Sequence, residues 1–120
     1  MIWANIVTIA RAGYYSVRGI GKAIKRERPF QQELFFFVPG TVLAAFMARD
    51  ILEFSLLVFP FLIALSLELV NSAVESVVDR VGLERDKLAE DAKDFASAAV
   101  FIANMTAFTI WAVYLVKRFL

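Results

Sequence analysis

The 120-residue sequence has no histidine and no cysteine, and only 3 prolines and 5 glycines. Without cysteine there is neither a disulfide frame nor a thiolate metal site. Without histidine, Ser-His-Asp and Cys-His catalysis, His-ligated zinc and the commonest general base all fall away. The phosphate loop of the GxxxxGK[ST] kind is missing, as are the glycine loop and catalytic loop of protein kinases. A net charge of +1 gives no bulk attraction for nucleic acid, and none is expected as a partner. Any chemistry must therefore rest on carboxylates, lysine, arginine, amides and hydroxyls. What the chain has in abundance is apolar surface. At 60% apolar residues and a mean hydropathy of +0.66, it is too apolar for an ordinary soluble domain of this size, so its solvent is lipid.

One stretch breaks that apolar background. In Glu68-Leu-Val-Asn-Ser-Ala-Val-Glu-Ser-Val-Val-Asp79, the polar residues Glu68, Asn71, Glu75 and Asp79 are spaced by 3, 4 and 4. At about 100° per residue these fall on one narrow stripe of a helix. A charge near the bilayer centre costs roughly 2.5–3.5 kcal/mol even on the lenient insertion scale, so carboxylates kept there face a bundle interior or a wet cavity. The stripe therefore reads as a site.

The rest of the chain supports it. Residues 1–28 alternate apolar positions such as Ile6, Ile9, Val17, Ile20 and Ile24 with Arg11, Arg18, Lys22, Lys25 and Arg26 in a helical pattern. This predicts an amphipathic helix lying in the membrane interface, with Trp3, Tyr14 and Tyr15 at headgroup level. It does not read as a signal peptide, because the charges lie within the apolar pattern. Arg28-Pro29 ends or bends that helix. A first span over 30–48 contains Pro39-Gly40, expected to kink it, and Glu33 reads as marking its end. A turn at Arg49-Asp50 leads to a second span, 53–78, which reaches membrane-crossing length only by running through the Glu68 stripe. Residues 79–91 form a charged loop with some helix. A third span, 92–117, opens with the small residues Ala96, Ser97, Ala98 and Ala99, suited to close helix approach.

Six Lys or Arg lie between Arg11 and Arg28 and four between Arg80 and Lys93, against one (Arg49) in the first turn and two at the C-terminus. The positive-inside tendency puts the amphipathic helix and the charged loop on the cytoplasmic side, with the C-terminus outside. Both then meet the stripe at one membrane face, which suits phosphoryl transfer from a soluble anionic donor to a lipid. That reaction needs a divalent metal on oxygen ligands, cations on the phosphates and a group to orient the hydroxyl. Glu75 with Glu27 or Asp79 can hold metal. Lys93 and the N-terminal basic face can meet phosphates, and the deeper Glu68 can take a proton from an alcohol.

The pattern Glu-x-hydrophobic-Asn-Ser/Thr-Ser/Ala-aliphatic-Glu-x-x-Val-Asp, met at every position from Glu68 to Asp79 and followed by Ala92-Lys93-Asp94, resembles that of the prokaryotic diacylglycerol kinase family. The family comprises small integral-membrane lipid kinases and includes undecaprenol kinases. The likeness extends over essentially the whole chain, with Arg26-Glu27 and Gln32-Glu33 ahead of the first span. It implies an all-α homotrimer in the bacterial inner membrane, with three membrane helices and a surface helix per protomer and active sites shared between protomers. It also implies ATP with Mg2+ as reagent and diacylglycerol as the lipid alcohol. By resemblance Glu68 is the general base, Glu75 and Glu27 bind metal, Asn71 supports the site, Lys93 contacts phosphate, and Asp79 and Asp94 are carboxylates near the nucleotide. Thr8 departs from the family, standing where a basic residue lies near the nucleotide. Arg11, Tyr15 and Arg18 are the substitutes for that contact.

Two other classes are compatible with parts of the pattern. A small ion-coupled transporter would also keep Glu68, Asn71 and Glu75 inside a bundle, but leaves the one-sided charged segments without a purpose. A helix-packing subunit accounts only for the small residues. Within the family, Asp79-Arg80-Val81-Gly82 looks more like diacylglycerol kinases than undecaprenol kinases.

Overall fold

The computed structural model describes residues 1–82 and 86–120, and everything described is helix or short connection. The order is α1 (Ile2–Arg26), α2 (Arg28–Met47), α3 (Ile51–Val81) and α4 (Lys87–Phe119). The last three are long and apolar enough to cross a membrane. In lipid an α-helix satisfies its own backbone groups, which is why such apolar runs become helices rather than open strands. Hydroxyls inside the spans follow the same rule. Ser55, Ser66, Thr106 and Thr109 each donate to the carbonyl four residues back, at 2.7–2.9 Å.

The helix ends lie beyond the charge-free runs, because charge marks the apolar slab whereas backbone hydrogen bonding marks the helix. α3 continues to Val81 and α4 starts at Lys87, so the charged residues 87–94 form the first two turns of α4. Glu84 and Arg85 of the charged stretch lie outside the described residues. α1 stops at Arg26, leaving Glu27 as the single extended residue between two helices. Pro29 sits in the first turn of α2, where its missing N–H has no intrahelical partner to lose. At the other end of α2, Asp50 caps α3 by accepting from the Glu53 N–H (2.8 Å), and Glu53 reaches back to the Arg49 N–H (2.9 Å).

Packing is centred on α3, which lies against both α2 and α4. Ala44, Ala64, Ala103 and Ala107 are buried where the helices meet, since a methyl lets backbones approach closely. Within the chain, close approach therefore occurs deeper in α4 than Ala96–Ala99, of which Ser97 and Ala98 are exposed. One apolar cluster joins Ala23, Phe30 and Leu65 near the site, and a second joins Ala44, Leu57 and Val58 farther along, with Phe37 packing against both. The far end is pinned by side-chain bonds from α4. Trp111 donates to the Leu57 carbonyl (3.0 Å), next to the Leu56 carbonyl that Pro60 leaves without a donor, and the Tyr114 hydroxyl donates to the Met47 carbonyl (2.7 Å). α1 buries only Ala23 and packs mainly on α2.

Candidate active site

Glu68 and Asn71 are the buried polar residues among those described, 4% and 8% exposed. Both stand on the face of α3 that the helical spacing predicts. The Asn71 amide nitrogen is shared: it donates to Glu68 Oε1 at 3.5 Å and to Glu75 Oε1 at 3.3 Å. Glu68 and Glu75 are about 10 Å apart along the axis at 1.5 Å per residue, so Asn71 is the one side chain between them that can serve both. Its own oxygen, Oδ1, is buried without a hydrogen-bond partner. Two carboxylates thus share one amide. Ala23, Phe30 and Leu65 pack together with Leu69 against them, which sets the α1–α2 junction and the first turn of α2 beside the stripe.

One turn beyond Glu75, Asp79 is paired with Lys93 across α3 and α4 at 2.7 Å. Asp79 and Lys93 line a cavity of about 360 Å³ between the ends of α3 and α4, together with Asp86 and Glu90. One of the three Lys93 N–H donors is used by Asp79, which leaves two for another acceptor. Asp94, next in sequence, is exposed. A second cavity, of about 490 Å³, separates α1 from α3, with Lys22 and Glu27 on one wall and Ser72 and Ser76 on the other.

The structure does not bring every expected residue to this place. Arg11, Tyr15 and Arg18 are exposed on α1, and Tyr15 packs edge-on against Tyr14. None of the three is bonded to the stripe among the described residues, because α1 leans on α2 and meets α3 only through its C-terminal half. Nor is there a ready-made metal cage: among the described residues no group of three or more Asp or Glu could hold an ion. The donors that exist still suit a hard divalent cation arriving with phosphates. Mg2+ is held by one or two carboxylates plus substrate oxygens rather than an all-protein cage, and Glu75, Glu27 and the unpartnered Asn71 Oδ1 are all oxygen donors.

Glu33 corrects the sequence reading in the other direction. It is half-buried, not a free span end: its Oε1 accepts from the Asn104 amide at 2.6 Å, and its Oε2 is buried without a partner. Asn104 was invisible as a site residue because its partner lies on another helix. The available signal was a lone amide inside the uncharged run Val100–Val113.

A family model described as prokaryotic diacylglycerol kinase matches residues 14–115, which contain the whole stripe, Glu27, Glu33 and Lys93. The chain belongs to that family. It is 41% identical to a diacylglycerol kinase of Haemophilus influenzae over 81% of this chain and 82% of that protein. It is 38% identical to one of Helicobacter pylori, covering 92% and 86% of the two chains. With one of Escherichia coli K12 the identity is 36%, over 92% and 91%. Family membership and the three apolar helices make the protein a multi-pass membrane kinase that acts on lipid, with ATP and a divalent metal as the family's reagents.

Proposed function

We propose that this kinase transfers the γ-phosphate of MgATP to diacylglycerol, giving phosphatidic acid, at the cytoplasmic face of the bacterial inner membrane. The observation that carries this reading is the single Asn71 amide joining a buried carboxylate, Glu68, to an exposed one, Glu75. The buried member suits work on a lipid hydroxyl and the exposed member work on a soluble reagent. The name shared by the three relatives supports diacylglycerol over a polyprenol as the acceptor.

In this reading Glu68 accepts the proton of the lipid hydroxyl as that oxygen bonds to the γ-phosphorus and the bond to the ADP oxygen breaks. Asn71 orients Glu68. Lys93 meets the phosphate oxygens, with Asp79 and Asp94 completing the nucleotide side. Glu75 and Glu27 would hold the divalent ion, Mg2+, which would supply charge neutralisation on the phosphates. α1 lies in the membrane interface and keeps Glu27 beside the stripe. Three copies assemble as a homotrimer with sites shared between neighbours, and in that setting Arg11, Tyr15 and Arg18 can serve the site of an adjacent protomer.

The test is transfer of labelled phosphate from ATP to diacylglycerol and, in parallel, to undecaprenol, by purified protein in mixed micelles with Mg2+ or with chelator. Diacylglycerol should be the better acceptor, with label lost on chelation and in Glu68→Gln. Preference for undecaprenol would move the protein to the other branch of the family, and no transfer to either alcohol would end the kinase reading for this site.

A further inference from the structure

A third cavity, of about 280 Å³, lies beside the stripe without belonging to its nucleotide side. Phe36, Phe61 and Phe108 wall it, and Ala64, Glu33 and Asn104 face it from α3, α2 and α4. Ala64 is one turn, about 6 Å along the axis, from Glu68. The cavity therefore lies about one helical turn from Glu68, which is not itself part of the lining.

Its chemistry selects the occupant. No lysine or arginine lines it, and Glu33 adds negative charge, so phosphate is repelled. The aromatic walls, with Phe61 edge-on to Phe108 at 5.9 Å, accept hydrocarbon. The polar part of the lining is Gln32, Glu33 and Asn104. Glu33 Oε2 is a buried acceptor without a donor. The Asn104 Nδ2 carries two hydrogens, and its bond to Glu33 uses one of them. An occupant that suits the amide offers it a carbonyl oxygen beside the reacting hydroxyl. A diacylglycerol carries these on adjacent carbons, its free hydroxyl and the neighbouring ester. A polyprenol has the hydroxyl alone.

We propose that Asn104 donates to the ester carbonyl next to the reacting hydroxyl, with Glu33 holding the amide in place, so that this pair reads the acceptor as an acylglycerol. This deepens the diacylglycerol reading above and rests on it. An acylglycerol held there by its ester would extend its hydroxyl along α3 toward Glu68, one turn from Ala64.

The experiment compares 1,2-diacylglycerol with 1,2-dialkylglycerol of the same chain length, which keeps the hydroxyl and the backbone but replaces both esters by ethers. A neutral hydrogen bond contributes enough for roughly a three- to tenfold preference, so wild-type protein should use the diacyl lipid with a kcat/KM higher by that factor. Asn104→Leu and Asn104→Ala should each remove the preference, lowering kcat/KM on the diacyl lipid to that on the ether lipid. The diagnostic reading is the ratio of the two lipids within each variant, which should fall to about one. Equal use of the two lipids by the wild type overturns the inference without any variant, and so does an equal fall on both lipids in the variants. A wild type that phosphorylates neither overturns the diacylglycerol reading and this inference with it. One that uses diacylglycerol but ignores the ester overturns this inference alone.

Discussion

Replacing Asn71 by leucine, nearly the same size, removes one amide and thereby both of its bonds, to Glu68 and to Glu75. A well-formed hydrogen bond to a charged group contributes about 1.5–3 kcal/mol, but at 3.5 Å the bond to buried Glu68 is at the long limit and is taken as about 1 kcal/mol. The bond to exposed Glu75 adds a fraction of that. A total near 1.5 kcal/mol corresponds to roughly a tenfold fall in kcat/KM. The size is less diagnostic than its distribution. Because one nitrogen serves both carboxylates, Asn71→Leu should lower kcat through Glu68 and raise the Mg2+ concentration for half-maximal rate through Glu75, in the same protein. The assay is initial-rate phosphorylation of diacylglycerol in mixed micelles, with Mg2+ titrated at fixed ATP, alongside a thermal melt to establish that the helices remain intact. A fall in kcat with an unmoved Mg2+ titration, or the reverse, would refute the shared amide as a working element of the site.

Further outcomes are expected from the same geometry. Glu75→Gln should weaken apparent Mg2+ and MgATP affinity, whereas Glu68→Gln should lower turnover and leave nucleotide binding near wild type; equilibrium nucleotide titration beside lipid-kinase kinetics separates them, and the reverse pattern would exchange the roles. Lys93→Met should raise the KM for MgATP several-fold with little effect on thermal stability, because the Lys93–Asp79 pair is exposed; a large loss of stability with an unchanged KM would make the lysine purely structural. Single cysteines introduced as Lys22→Cys and Asp86→Cys should react with an impermeant reagent from the cytoplasmic side alone, and periplasmic labelling of either would invert the topology. Mixed oligomers of Glu68→Ala and Glu27→Ala chains should recover part of the lost activity, and none in well-mixed samples would count against shared sites.

How far the sequence could lead depended on whether a feature lay within one helix or between two. Glu68, Asn71, Glu75 and Asp79 were legible because a polar stripe in an apolar run has a period, and their depth followed from the same arithmetic. Pairings across helices have no period. Glu33 and Asn104 are 71 positions apart, and nothing in either neighbourhood announces the other, so the glutamate passed for a span end. Lys93 was read only as a group able to meet phosphates, and its pairing with Asp79 on the preceding helix was not legible for the same reason. The nucleotide contacts expected of Arg11, Tyr15 and Arg18 came from a likeness that describes an assembly, and a single chain holds those side chains away from its own stripe.

The side-chain bonds between helices are unevenly distributed along the bundle. Trp111 and Tyr114 rivet α4 to the ends of α2 and α3 at one extreme, and Tyr114 also reaches Glu53 at 3.4 Å. At the other extreme, among the described residues, α3 and α4 are latched by the Lys93–Asp79 pair, in reach of water and salt. Between these extremes Asn104 ties α4 to Glu33 of α2, so the α3–α4 contact at the Lys93 end is the one held by an exposed charge pair. If Lys93 serves the nucleotide as proposed, phosphate would compete with Asp79 for its ammonium and weaken that latch.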